Sequence, residues 1–148
     1  MADDGRQLFC RVITPQDTIF DGEVQRVIAR ISDGEIGVLV DHAPTISTVE
    51  IGDVRILQND ETTVYATSDG FFKVSENLVQ ILVEEAMLAE EISVDEAEER
   101  VQNAEQELSE IGEPEEDGDE VERQRKEIER QRSIGENYTR VARKYGEG

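Results

Sequence analysis

Tryptophan is absent from this 148-residue chain, which holds one cysteine, one histidine, three prolines and only 15 basic residues. A lone cysteine, Cys10, closes no internal disulfide, so the fold must be held by its core, as in a reducing compartment. A lone histidine, His42, with no second histidine or cysteine beside it, lacks the ligand set of a zinc site. No apolar run approaches the ~20 residues that carry a helix across a bilayer. The first residues also lack the basic and apolar regions of a secretory signal. Together these predict a soluble chain that reaches a membrane only through partners and does not insert directly.

Basic charge is scarce. Acids number 36, and the net charge is −21. Such a field repels phosphate backbones and anionic lipid, which excludes nucleic acid as a direct partner. The imbalance is uneven. Residues 118–148 carry eight bases and seven acids, leaving seven bases against 29 acids in the rest.

Chemical signatures are missing too. No glycine-rich loop is followed by Lys-Ser or Lys-Thr to cradle a phosphate. The acidic run around Asp117, Gly118 and Asp119 fails as a calcium loop, because with Gly118 as its glycine the closing position falls on Gln124. Cys10 shares one side of a pleat with Leu8 and Val12 and reads as a small core residue. With no convergent nucleophile, base or metal set, the expectation is a chain that is no enzyme and carries no metal and no cofactor.

What is present has two periods. Residues 8–85 form many short apolar runs separated by turn signals: Pro15-Gln16-Asp17, Asp21-Gly22, Asp33-Gly34, Gly52-Asp53, Asn59-Asp60, Asp69-Gly70 and Glu76-Asn77. Short strands at such spacing predict an antiparallel β-sandwich or barrel whose strand order the sequence leaves open. Gly34 and Gly37 flank a strand start where tight turning or positive φ is expected, and Pro44 stiffens its exit. From Ser93 the period becomes helical. Ser93 and Glu96 form a capping box, and Val94, Ala97, Val101, Ala104, Leu108 and Ile111 make one apolar stripe. Gly112 and Pro114 stop that helix, and residues 113–120 read as a solvated acidic linker. A second helix from about Val121 carries a weaker stripe of Val121, Ile128, Ile134, Tyr138, Val141 and Tyr145, with Gly135 as an expected break. The predicted organisation is a β-sandwich over 1–88 followed by a two-helix hairpin over 89–148, with the linker at 112–120. A seam this narrow is marginal by itself.

The most specific stretch is Gly34-Glu35-Ile36-Gly37, a short apolar run, then His42-Ala43-Pro44. It resembles the signature of the epsilon subunit of F-type proton-translocating ATP synthase. Thr14-Pro15 with Phe20-Asp21-Gly22, Gly52-Asp53-Val54-Arg55-Ile56, Asp69-Gly70-Phe71-Phe72 and the run from Asn77 to Val83 match the family's blocks in order. The likeness is strong over the sandwich and weak beyond Ile111.

The resemblance implies a non-catalytic central-stalk subunit. It would clamp the gamma subunit to the c-ring, couple proton-driven rotation to ATP synthesis, and inhibit ATP hydrolysis through its two helices. The implied partners are gamma, the c-ring and the catalytic alpha and beta subunits in one hetero-oligomer, peripheral at the cytoplasmic face of the cell membrane. Glu35 and His42 are placed at the interface with gamma and the c-ring, and Arg123, Arg125, Arg130 and Arg132 opposite acidic groups of a catalytic subunit. Many family members bind ATP where the first helix begins. Here Asp95 of that motif is kept, but Glu98 stands where an arginine is expected, which repels ATP. The rival reading is a stand-alone acidic module or chaperone that binds basic proteins.

Overall fold

The computed structural model describes residues 6–111 and 118–146. The chain divides into two compact units, Met1–Ala89 and Glu90–Gly148. The first contains ten strands: β1 (Leu8–Ile13), β2 (Thr18–Val24), β3 (Arg26–Ile31), β4 (Gly34–Val38), β5 (Thr45–Val49), β6 (Gly52–Gln58), β7 (Glu61–Thr67), β8 (Gly70–Ser75), β9 (Leu78–Val83) and β10 (Ala86–Leu88). A single 3-10 turn, Ala89–Glu91, follows. The second unit holds α1 (Val94–Glu110) and α2 (Asp119–Tyr145). The architecture is the expected β-sandwich followed by two helices.

The ladder runs β10-β7-β6-β3-β5-β8-β9-β1-β2, with β4 on β3. Every pair is antiparallel except β1 with β9. Alternation decides what is buried, because successive side chains on a strand point to opposite faces. Leu8, Cys10 and Val12 of β1 turn inward, as do Val54 and Ile56 of β6 and Phe72 and Val74 of β8, and all join one core. Strands distant in the ladder share that core, so the sheet folds over on itself. Gln58 Nε2 of β6 reaches back to β2, donating to Glu23 O at 2.8 Å, and the Gln25 amide, between β2 and β3, donates to Leu57 O at 2.7 Å.

Two hairpins use two-residue turns with both φ values positive: Asn59 and Asp60 (53° and 64°), and Glu76 and Asn77 (51° and 64°). This twist suits tight antiparallel connections and favours Asn and Asp. The strand whose start Gly34 and Gly37 were expected to flank runs from Gly34 to Val38. Asp41 takes φ 68°, and its amide donates to Asn77 Oδ1 at 2.6 Å, which pulls the following turn away from the ladder. Gly34 has the positive φ expected of it (121°), whereas Gly37 sits mid-strand opposite Ile28.

Ser68 is fully buried, and its Oγ accepts from the Glu84 and Glu85 amides at 3.0 and 3.2 Å. That hydroxyl ties the β7–β8 connection to the β9–β10 connection. Beside it, a Cβ on Gly70 would lie 2.0 Å from Leu82 O.

In the second unit, Ser93 Oγ accepts from the Glu96 amide at 3.2 Å, as the capping box requires. The second helix begins two residues earlier than expected, at Asp119. Residues 112–117 of the anticipated linker lie outside the described residues, while Asp119 and Glu120 belong to the helix. Gly135 does not break α2. It lies at the helix crossing, where a Cβ would meet Val101 Cγ2 at 2.9 Å and Ala97 O at 3.1 Å. Close packing at this point outweighs the glycine's poor helix propensity. The small residues Ala97 and Ala104 are the buried members of the α1 stripe.

Gly70→Ala forces a methyl into the β9 carbonyl. The expected cost is at least about 3 kcal/mol, read as a shift of the urea midpoint of the full chain. An unchanged midpoint would mean that the β8–β9 approach is looser than described.

Candidate functional site

Glu35 is the second residue of β4, beside the β3–β4 turn and opposite Arg30 in register. Its Oε2 accepts from Arg55 Nη2 on β6 and lies 3.9 Å from Arg30 Nη2. Arg55 Nε in turn lies 3.1 Å from Asp53 Oδ2, and the Asp53 side chain is only 5% exposed. The result is an alternating series of Asp53, Arg55, Glu35 and Arg30, anchored in the interior at one end and half-exposed at the other. Glu35 is thus held in place, not a loose surface acid.

His42 lies past the other end of β4. Its amide donates to Leu39 O at 3.2 Å, and Nδ1 is 2.8 Å from Ala43 O. The preceding Asp41 pairs with Arg6 and bonds Asn77, so this turn joins the tip of the β8–β9 hairpin. The fold therefore separates Glu35 from His42, one near each end of a five-residue strand.

The helix residues also divide. Asp95 is exposed in the first turn of α1. Glu98, one turn on, pairs with Arg143 of α2 at 2.7 Å. Arg100 Nε donates to Gln131 Oε1 at 3.1 Å, and its guanidinium sits 5.8 Å from the Tyr138 ring centre. Of the four arginines of interest, Arg123 pairs with Glu120 at 3.2 Å and Arg130 with Glu127 at 3.5 Å. Arg125 and Arg132 have no ion pair among the described residues, and the Nε of each is shielded from water without a hydrogen-bond partner.

The sandwich also presents apolar surface. Phe71 (64% exposed) stands beside Leu82 in register, and Ile46 (77% exposed) lies on β5, the strand paired with β8 on its other side. Sequence reasoning missed this face and the arginines Arg26, Arg30 and Arg55. Alternation along β3 places Arg26 and Arg30 on one side, but their neighbours on β6 follow only from register.

Among the described residues no group of three or more His, Cys, Asp or Glu is placed to hold a metal ion. No described helix is long and apolar enough to cross a membrane. Burial, and secondarily the Asp21 carboxylate, push the Cys10 thiol from 9.0 up to about 12, so it is a protonated core residue at neutral pH.

This combination, a ten-stranded sandwich followed in sequence by a helical pair, has relatives. Residues 7–89 match the family model described as the ATP synthase Delta/Epsilon chain β-sandwich domain. The chain belongs to the ATP synthase epsilon chains. It is 60% identical over its whole length to the complete ATP synthase epsilon chain of Rubrobacter xylanophilus. It is 38% identical to the chloroplastic epsilon chain of Spinacia oleracea, over 63% of this chain and 69% of that one. A chain in the structure of the Euglena gracilis mitochondrial ATP synthase, OSCP/F1/c-ring, shares the fold with a TM-score of 0.69 at 22% identity, over 92% of this chain and 81% of that one.

The thiol shift makes a pH prediction. Between about pH 9 and pH 12 the unfolded chain releases a proton that folded Cys10 retains, so stability falls as pH rises through that window. Cys10→Ala removes this slope. Urea midpoints of both chains across the window should therefore converge upward in pH, and parallel curves would contradict the burial of the thiol.

Proposed function

We propose that this epsilon chain is a non-catalytic subunit of the central stalk that clamps the gamma subunit to the c-ring and brakes ATP hydrolysis with its two helices. Through that clamp, proton-driven rotation reaches the catalytic alpha and beta subunits. The chain sits in a hetero-oligomer, peripheral at the cytoplasmic face of the cell membrane. The observation that carries this reading is the likeness to an ATP synthase epsilon chain over the full length of both proteins.

Several features support the division of labour. Glu35, fixed by two arginines, and His42, fixed in a turn, give the sandwich rigid polar groups for gamma and the c-ring. The exposed apolar residues on β5, β8 and β9 suit coverage by a protein. The hairpin suits a switch. Seven acids and one base on α1 face eight bases and six acids on α2. The cross-pair of Glu98 with Arg143 is exposed and individually weak. Such a hairpin opens when a partner offers more than its own buried seam of Ala97, Ala104, Ile134 and Val141. Arg125 and Arg132, which pair with no acid among the described residues, are the better placed of the four arginines to meet acidic groups of a catalytic subunit. With Glu98 engaged by Arg143, the Asp95 region offers ATP no free cation, so ATP is not sensed there. Calorimetric detection of micromolar ATP binding to the isolated chain would refute that point.

The test is ATP hydrolysis by an ATP synthase complex stripped of its own epsilon chain, assayed alone, with the full chain, and with a chain ended after Glu91, which keeps the whole sandwich core. Binding of both forms with slowing by the full chain alone is the expected result. Slowing by neither removes the brake, and failure of both to bind removes the clamp.

A further inference from the structure

We propose that the outward face of β3 and β6 is a second docking element, in which a carboxylate carried by a folded partner protein enters a hollow between Arg26 and Arg55. The proposal rests on the reading that the Glu35 face meets a partner, and it adds the chemistry that this partner must present.

The hollow measures about 100 Å³ and is lined by Arg26, Ile28, Arg55, Leu57 and Thr62. That exceeds the ~10–15 Å³ of such volume that one water needs, and leaves room for a carboxylate. Register accounts for the grouping. Arg26 stands beside Leu57 and Leu57 beside Thr62, while Ile28 stands beside Arg55. Two guanidinium groups therefore flank an apolar floor, with a hydroxyl at the rim.

The two cations are in different states. Arg55 is anchored: Asp53 holds its Nε from the interior and Glu35 takes its Nη2. Arg26 is exposed and has no ion-pair or side-chain hydrogen-bond partner among the described residues. In a chain of net charge −21, an unengaged arginine next to a fixed one is conspicuous. Three of the seven bases before residue 118, Arg26, Arg30 and Arg55, lie on this one face. Acids are abundant enough to have neutralised Arg26, and none of the described ones is placed there.

Charge and apolar floor together select the occupant. A guanidinium recognises a carboxylate through directed N–H donors, while Ile28 and Leu57 cover the methylenes of a Glu or Asp stem. A free acidic peptide is disfavoured, because the whole chain repels it at long range. A carboxylate delivered by a partner that is already held elsewhere meets only the local field. Glu35 lies at the edge of the same face and is continuous with the hollow through Arg55. The docked surface is then mixed in sign, with an acid of the partner at Arg26 and Glu35 beside it.

The experiment titrates an ATP synthase complex lacking its epsilon chain with the full-length wild type, Arg26→Glu, Arg26→Lys and Arg11→Glu, the last making the same change of net charge on β1. Arg26→Glu should weaken binding about ten-fold or more, Arg26→Lys by less, and Arg11→Glu should match wild type. The Arg26→Glu urea midpoint should equal that of wild type, since Arg26 has no partner among the described residues. Wild-type binding with Arg26→Glu equally tight would overturn the hollow while leaving the clamp intact. Equal weakening by Arg26→Glu and Arg11→Glu would overturn it in favour of overall charge. No binding by wild type would remove the clamp and the hollow together. Calorimetry of the isolated chain with inorganic phosphate supplies the last arm. Saturable binding that Arg26→Glu abolishes would make this a small-anion site and overturn the protein partner, whereas no binding is expected.

Discussion

Cys10, Ile56 and Phe72 come from strands well separated in the ladder and meet in one fully buried core. Keeping that core closed is the constraint on which the rest of the sandwich depends. Burial of apolar surface drives the closure, but the outside of the same strands carries acids that repel one another. The few arginines are therefore set where elements must meet. Arg6 reaches the Asp41 turn, Arg11 reaches Asp21 across β1 and β2, and Arg30 and Arg55 gather Glu35 over β3, β4 and β6. Each exposed pair contributes little alone. Their value lies in position, because they relieve repulsion at the junctions between strands.

The hairpin solves a related problem with less apolar surface. Its helices approach closely at Gly135, where Ala97 and Val101 leave no space for a methyl. Around that point Ile134, Tyr138 and Val141 of α2 are buried, with polar contacts beside them: Arg100 with Gln131 and Tyr138, and Glu98 with Arg143. Such contacts fix the register of the two helices.

Much of this was legible in the sequence, and the parts that were not share a cause. Turn residues marked several of the strand breaks, because Asn59-Asp60 and Glu76-Asn77 adopt the backbone their chemistry favours, but Asp21-Gly22, expected as a turn, lies inside β2 opposite Arg11 and Cys10. The three-residue β10 was missed, being too short to show alternation. The strand order, including β3 as the meeting point of β4, β5 and β6, depends on pairings between residues remote in sequence. Gly135 was misread because propensity is a local property and the helix crossing is not. The same limit hid the site chemistry. Glu35 and His42 stood out from a short signature, but Arg55 and Asp53 gain their roles only when β6 is laid beside β3.

The single parallel pairing has a consequence for how the molecule is made. β1 is the first strand to be synthesised, yet it lies between β2 and β9, and its pairing runs from Phe9 with Leu78 to Ile13 with Leu82. Until β9 has left the ribosome, the β1–β2 hairpin has one open edge and an uncovered inner face. The sheet is thus completed by a contact spanning most of the sandwich sequence, which makes closure slow relative to helix formation. The helices emerge afterwards. During synthesis the chain therefore passes through an interval in which its oldest segment waits for its partner, and the acidic surface that burdens the finished sandwich keeps such half-built copies apart.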